Sequence, residues 1–147
     1  MKQATLLLLA VCLAACASSK SSSGPNVSVE LAQLTAANDV FYMRGPVSIQ
    51  YQLAISNPTT QPLTLTRLDL QTLGPGAYSL RANGTTMNLS VAPNSTSNYT
   101  ISVWGYSNGG YMRSSEPVTL HGTAYFKGPS GSFLRIFNEN IPQQTGG

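Results

Sequence analysis

The stretch Val47-Ser48-Ile49-Gln50-Tyr51-Gln52-Leu53-Ala54-Ile55 decides the fold. Apolar side chains stand at every second position, with small or polar ones between them. Successive side chains of a strand point to opposite faces, so this pattern predicts a strand with one face in a core and the other in water. Working outward, the same period recurs at Val27, Val29 and Leu31; at Leu63 and Leu65; at Met87, Leu89 and Val91; at Tyr99, Ile101 and Val103; and at Val118 and Leu120. No segment carries a helical stripe. Apolar parity switches between Leu65 and Leu68, which predicts a bulge at Thr66 or Arg67. A second switch falls between Phe133 and Phe137.

Turn chemistry punctuates these runs. Asn57-Pro58-Thr59-Thr60-Gln61-Pro62, Gly74-Pro75-Gly76, Asn83-Gly84, Ala92-Pro93-Asn94-Ser95, Asn108-Gly109-Gly110 and Gly128-Pro129-Ser130-Gly131 supply fixed or positive φ angles. About eight strands, each with one apolar face, bury those faces most simply as two packed sheets. The expected fold is therefore all-β: an antiparallel β-sandwich, immunoglobulin/fibronectin-like, over residues 26–141, with 142–147 as a disordered tail. A closed barrel is the rival arrangement.

The composition narrows function by exclusion. Charged residues make up 9% of the 147, against about 25% in an ordinary globular protein, so neutral Ser, Thr, Asn and Gln cover the surface. Eight Lys/Arg against five Asp/Glu leave +3 along the whole chain, with no basic cluster to neutralise phosphates. Charge-driven disorder and nucleic-acid binding are excluded on this ground.

The N-terminus reads as an address. Lys2 precedes the short apolar run Leu6 to Leu13, too short to cross a bilayer as a helix, and small residues close it at Ala14 and Ala15. The segment Leu13-Ala14-Ala15-Cys16 resembles the lipobox of bacterial lipoproteins. That resemblance implies a signal peptide over 1–15, cleavage before Cys16, and a diacylglycerol on the Cys16 thiol. The alternative is an ordinary secretory signal cleaved after a small residue. Several buried acyl chains anchor a protein almost irreversibly, because each methylene contributes about 0.8 kcal/mol. Ala17 after the cysteine favours transfer to the outer membrane by the rule of that family, with the domain in the periplasm. Residues 16–25 then form the acylated cysteine and a flexible tether. Cleavage would also remove Cys12, so no disulfide could form and the core alone would hold the fold.

A second resemblance lies in the domain. Val47 to Leu70, with Asn57-Pro58, Pro62-Leu63-Thr64-Leu65 and Leu68, is similar to the water-stress and hypersensitive-response domain of some late-embryogenesis-abundant proteins. The strand Val118-Thr119-Leu120-His121-Gly122-Thr123-Ala124-Tyr125-Phe126 resembles that family's closing strand. Thr59 departs from the Asn-Pro-Asn turn of the family, and Gly74-Pro75-Gly76 is foreign to it. The resemblance implies a fibronectin-like sandwich and a role in stress protection or envelope interaction, without catalytic residues.

Catalytic and metal constellations are not legible. His121, the single histidine, has the opposite parity to Leu120 and should face water. The acids Glu30, Asp39, Asp69, Glu116 and Glu139 are scattered, so paired-carboxylate chemistry would need the fold to bring two together. Zinc takes about four N, S or O ligands, and neither a second histidine nor a free cysteine remains to supply them. Gly128-Pro129-Ser130-Gly131-Ser132 imitates a nucleophile loop but has serine where the second glycine belongs, and reads as a hairpin turn. Asn-x-Ser/Thr triplets at Asn26, Asn83, Asn88, Asn94 and Asn98 are by-products of the polar composition.

One segment has binding character. Trp104-Gly105-Tyr106-Ser107-Asn108-Gly109-Gly110-Tyr111-Met112-Arg113 combines three rings and a cation in a glycine-rich loop. Trp104, Tyr106, Tyr111 and Arg113 are the candidate binding residues, since rings with polar tips stack on sugars or fill a partner's pocket. The plainer reading has Trp104 in the core, closing the end of the sandwich, and Tyr111 on the surface. The sequence thus predicts a non-enzymatic outer-membrane lipoprotein, needing no cofactor or metal. Its partners would be the membrane, through the lipid, and another envelope protein or peptidoglycan. Binding or stress protection is the first function expected, and carbohydrate or peptidoglycan binding through the Trp104–Tyr111 loop the alternative.

Overall fold

A computed structural model describes residues 24–35, 41–81, 83–110 and 113–143. Among the described residues eight strands follow one another: β1 (Ser28–Gln33), β2 (Gly45–Asn57), β3 (Leu63–Leu73), β4 (Tyr78–Ser79), β5 (Asn83–Val91), β6 (Ser95–Ser107), β7 (Val118–Gly128) and β8 (Gly131–Ile141), with a 3-10 turn at Arg113–Ser115. They form two antiparallel sheets, in the orders β1-β2-β6-β4 and β5-β3-β7-β8. The architecture is the immunoglobulin/fibronectin-like β-sandwich that the alternation predicts.

Residues Val47 to Ile55 form the middle of β2. Val47, Ile49, Tyr51, Leu53 and Ile55 are buried, and Ser48, Gln50 and Gln52 are exposed. Across the sandwich they meet Leu63, Leu65, Leu68 and Leu70 of β3 and Val118, Leu120, Ala124 and Phe126 of β7, all in one core. The register of β3 slips against both neighbours between Leu65 and Arg67, the bulge expected there. An extra residue lets Leu65 and Leu68 both point inward although their parities differ.

The second expected switch is absent. β7 and β8 pair without a break from Val118↔Ile141 to Gly128↔Gly131. Phe133 and Phe137 share one face and pack on the core, whereas Ile136 is exposed on the other. Alternation failed as a guide because β8 carries apolar residues on both faces. Gly122 lies opposite Phe137, whose ring occupies the space a Cβ would need.

The ends of the sandwich differ. At one end lie the β2–β3, β5–β6 and β7–β8 turns together with Gly24 and Pro25, whose carbonyls accept hydrogen bonds from Arg135. Asn57, fully buried, organises the β2–β3 turn: its amide donates to Gln61 O (2.8 Å) and Ala92 O (3.1 Å), and its oxygen accepts from Thr59 N (3.0 Å). The opposite end holds the loops after β3 and β6 and the start of β2. There the Tyr51 hydroxyl meets that of Tyr78 at 2.7 Å, Tyr78 donates to Gln33 Oε1 (2.9 Å), and Gln33 Nε2 donates to Gln143 Oε1 (3.0 Å). Gln143, the second residue of the stretch 142–147 expected as a tail, is buried and held to β1 by this network, and residues 144–147 lie outside the described residues. Of the expected tether over 16–25, Gly24 and Pro25 are held by Arg135. Cys16 and the signal peptide lie outside the described residues.

Candidate functional site

β6 builds the site because its parity is fixed by its core-facing members. Ile101 and Ser107 are buried, and Tyr99 and Val103 pack on the core, which directs the even-numbered residues outward. Trp104 and Tyr106 therefore stand side by side on the outer face of the sheet, 67% and 46% exposed. This corrects the expectation of a core Trp104: the loop-closing role belongs instead to Phe41, which is fully buried with its ring 4.8 Å from that of Tyr78. Two positions along a strand separate the Cα atoms of Trp104 and Tyr106 by about 6.7 Å.

Gly105 makes the arrangement compact. Its inward position is occupied from both sides, since an added Cβ would lie 2.7 Å from Leu80 Cδ2, 2.9 Å from Ser79 O and 3.1 Å from Ile49 Cδ1. The core thus comes directly beneath the backbone that carries the two rings.

Neighbouring strands complete the surface. Pro46 of β2 and Ser79 of β4 flank Tyr106, and Ser48 of β2 flanks Trp104. Leu80 is buried, so Arg81 returns to the outer face, two positions beyond Ser79 and beside Trp104. Pro46, Ser79, Arg81, Trp104, Gly105 and Tyr106 line an open groove of about 390 Å³ without an acidic residue among them. Tyr42 and Met43 are exposed in the loop at the same end, which is tied to the segment after β6 by Gly110 N donating to Tyr42 O (3.0 Å) and Ser107 Oγ donating to Phe41 O (2.9 Å). Exposed apolar surface gathered at one place makes this end of the sheet the candidate interaction surface.

Of the four residues singled out from the sequence, the structure brings Trp104 and Tyr106 together. Tyr111 lies outside the described residues, and Arg113 opens the 3-10 turn. Arg81 and Pro46 were missed. The alternation Tyr99-Ile101-Val103 already carried the signal for Trp104, because a residue one step from Val103 must face the other way.

Other chemistry-bearing groups have structural duties. His121 lies on the outer face of the second sheet with Nδ1 2.8 Å from Asn138 Oδ1, opposite Gln71 on its other side. Asp69 is held by Arg67 Nε at 2.6 Å, and that guanidinium also sits 5.5 Å from the centre of the Tyr125 ring. The fold does bring Glu30 and Glu139 to one shallow hollow beside Gln52 and Asn98. Burial raises the Glu139 pKa and the Glu30 charge raises it further, but the carboxylate accepts the Leu31 N–H, capping an edge of β1. Ser130 sits in the β7–β8 turn at the rim of a hollow of about 240 Å³, with Thr59, Gln61 and Phe133 but no histidine or carboxylate lining it. The buried Tyr51 and Tyr78 phenols are both pushed far above the ordinary tyrosine range, chiefly by burial, and stay protonated. Among the described residues no three His, Cys, Asp or Glu side chains converge.

No family model matches the sequence, and no curated protein matches it either. Similarity appears among solved structures. A protein from Archaeoglobus fulgidus is similar over 81% of this chain and 96% of its own, with a TM-score of 0.52 at 11% identity. The putative ApaA protein from Bordetella pertussis is similar over 80% of this chain and 94% of its own, with a TM-score of 0.47 at 17% identity. The first of these likenesses shows the sandwich fold and nothing finer.

Proposed function

We propose that the chain is a non-catalytic lipoprotein of the bacterial outer membrane, anchored through Cys16, that binds envelope saccharide on the platform formed by Trp104 and Tyr106. The single observation carrying this reading is the exposure of both rings on one face of β6. A tryptophan on a strand's outer face gives up most of the free energy that its burial would contribute, and a flat apolar ligand face restores it. Sugar rings offer such faces, rimmed by hydroxyls that Ser48 and Ser79 can meet. The platform also lies at the end of the sandwich away from Gly24 and Pro25, so a protein tethered through its N-terminus would hold it out from the membrane.

Stress protection is the second reading, favoured by the Asn57–Pro58 turn and the sandwich around it. The hydrogen bonds of Asn57 hold its own turn and tie it to the β5–β6 turn at Ala92, however, and so serve the fold. Co-sedimentation with purified peptidoglycan sacculi separates the two readings. The full-length protein in detergent should sediment with sacculi and Trp104→Ala should not, at an unchanged melting temperature. Equal sedimentation of both proteins, or none of either, would remove the platform reading.

A further inference from the structure

We infer that the groove beside the platform takes a carboxylated amino sugar, with Arg81 pairing with the carboxylate while Trp104 and Tyr106 stack on the ring. This rests on the saccharide reading of the platform and adds the charge of the ligand to it.

The chain carries few charges, and the described cations can be followed one by one. Arg67 is neutralised by Asp69, Arg135 donates to the carbonyls of Gly24 and Pro25, and Arg44 Nε reaches Asn108 O at 3.4 Å. The Lys127 side chain makes no hydrogen bond or ion pair among the described residues, but it stands on β7 in the other sheet, opposite Thr64 and Ser132, away from the groove. Arg81 has no hydrogen bond or ion pair among the described residues, although it lines the groove beside the two exposed rings. On a surface built from neutral side chains, this is a cation left without a partner at the place where a ligand would sit.

The groove fixes where the guanidinium can act. Ser79 pairs with Tyr106, Leu80 then turns to Thr72 of β3, and the exposed Arg81 that follows lines the groove together with Trp104 and Tyr106. An arginine side chain is long enough to reach from there to a substituent on a sugar stacked over the indole. No carboxylate lines the groove to compete for it. A guanidinium presents a planar fork that fits a carboxylate in bidentate fashion and favours it over hydroxyls. Neutral glycans would keep the stacking and lose the ion pair.

Two probes of nearly equal shape test this: N,N′-diacetylchitobiose, which is neutral, and the disaccharide of N-acetylglucosamine and N-acetylmuramic acid, which carries a lactyl carboxylate. Binding to the full-length protein in detergent is followed by calorimetry and by the emission of Trp104, the single tryptophan. The acidic disaccharide should bind roughly tenfold more tightly, about 1.4 kcal/mol, with the preference shrinking at high salt. Arg81→Gln should bring the two affinities together by weakening the acidic disaccharide more than the neutral one, and its far-UV spectrum and melting temperature should match the parent. Equal affinities in the parent, or a preference that survives Arg81→Gln, would overturn the inference while the saccharide reading stands. Binding of neither disaccharide would overturn both.

Discussion

Gly105→Ala tests the packing that carries the platform. The added methyl would sit 2.7 Å from Leu80 Cδ2, 2.9 Å from the Ser79 carbonyl oxygen and 3.1 Å from Ile49 Cδ1. Leu80 is 4% exposed and Ile49 fully buried, so neither has free space to retreat into, and the Ser79 oxygen belongs to the backbone of β4. Overpacking of this kind costs about 1–3 kcal/mol. Replacing glycine in a strand returns roughly 0.5–1 kcal/mol, because glycine loses the most conformational freedom on folding. The difference spans about 0–2.5 kcal/mol, and the 2.9 Å clash with a backbone oxygen, which cannot rotate away, puts this site in the upper part, about 1–2 kcal/mol, enough to lower the melting temperature by roughly 4–8 °C. Thermal unfolding followed by far-UV circular dichroism measures it directly. An unchanged or raised melting temperature would refute the claim that the core is closed tightly beneath Trp104 and Tyr106.

Cys16→Ser should release the protein from the outer membrane in a fractionation experiment, since acylation requires the thiol. Continued sedimentation with membranes would show that another anchor acts. Leu53→Ala, at a fully buried position of β2, should lower unfolding stability by about 2–5 kcal/mol in a denaturant titration, and a cost near zero would place that face outside the core. Glu139 gives a pH dependence: its pKa is raised above the ordinary 4.5 by burial and by Glu30, so the folded state favours the protonated form. Its contribution is fully present below the unfolded pKa and is lost as pH rises through the folded one. Unfolding curves of the parent and Glu139→Gln should therefore diverge from acidic toward neutral pH, with the parent losing stability relative to the variant, and parallel curves would contradict this.

Much of the fold was legible because one face of each strand must be buried, and the residues that obey this show themselves by period. Val47 to Ile55 is the clearest case. The Leu65–Leu68 switch was equally readable, since a bulge is the local way to change parity without leaving the sheet. β8 was not, because Leu134 and Ile136 make its outer face apolar and hide the alternation. The two-residue β4 and the buried Phe41 left no periodic trace at all. At the site, the residue types were visible but their direction was misjudged: the indole's size argued for burial, whereas the alternation of its own strand turned it to solvent. Arg81 escaped notice because its place beside Trp104 depends on the β4–β6 pairing, which no local pattern announces.

Trp104 is open to solvent in the free protein, and bound saccharide would cover it. Acrylamide quenching of its emission, with and without purified sacculi, measures both states on the single tryptophan of the chain. Strong quenching is expected of the free protein, and marked protection once sacculi are added. An indole that is shielded in the free protein, or quenched equally in both conditions, would contradict it.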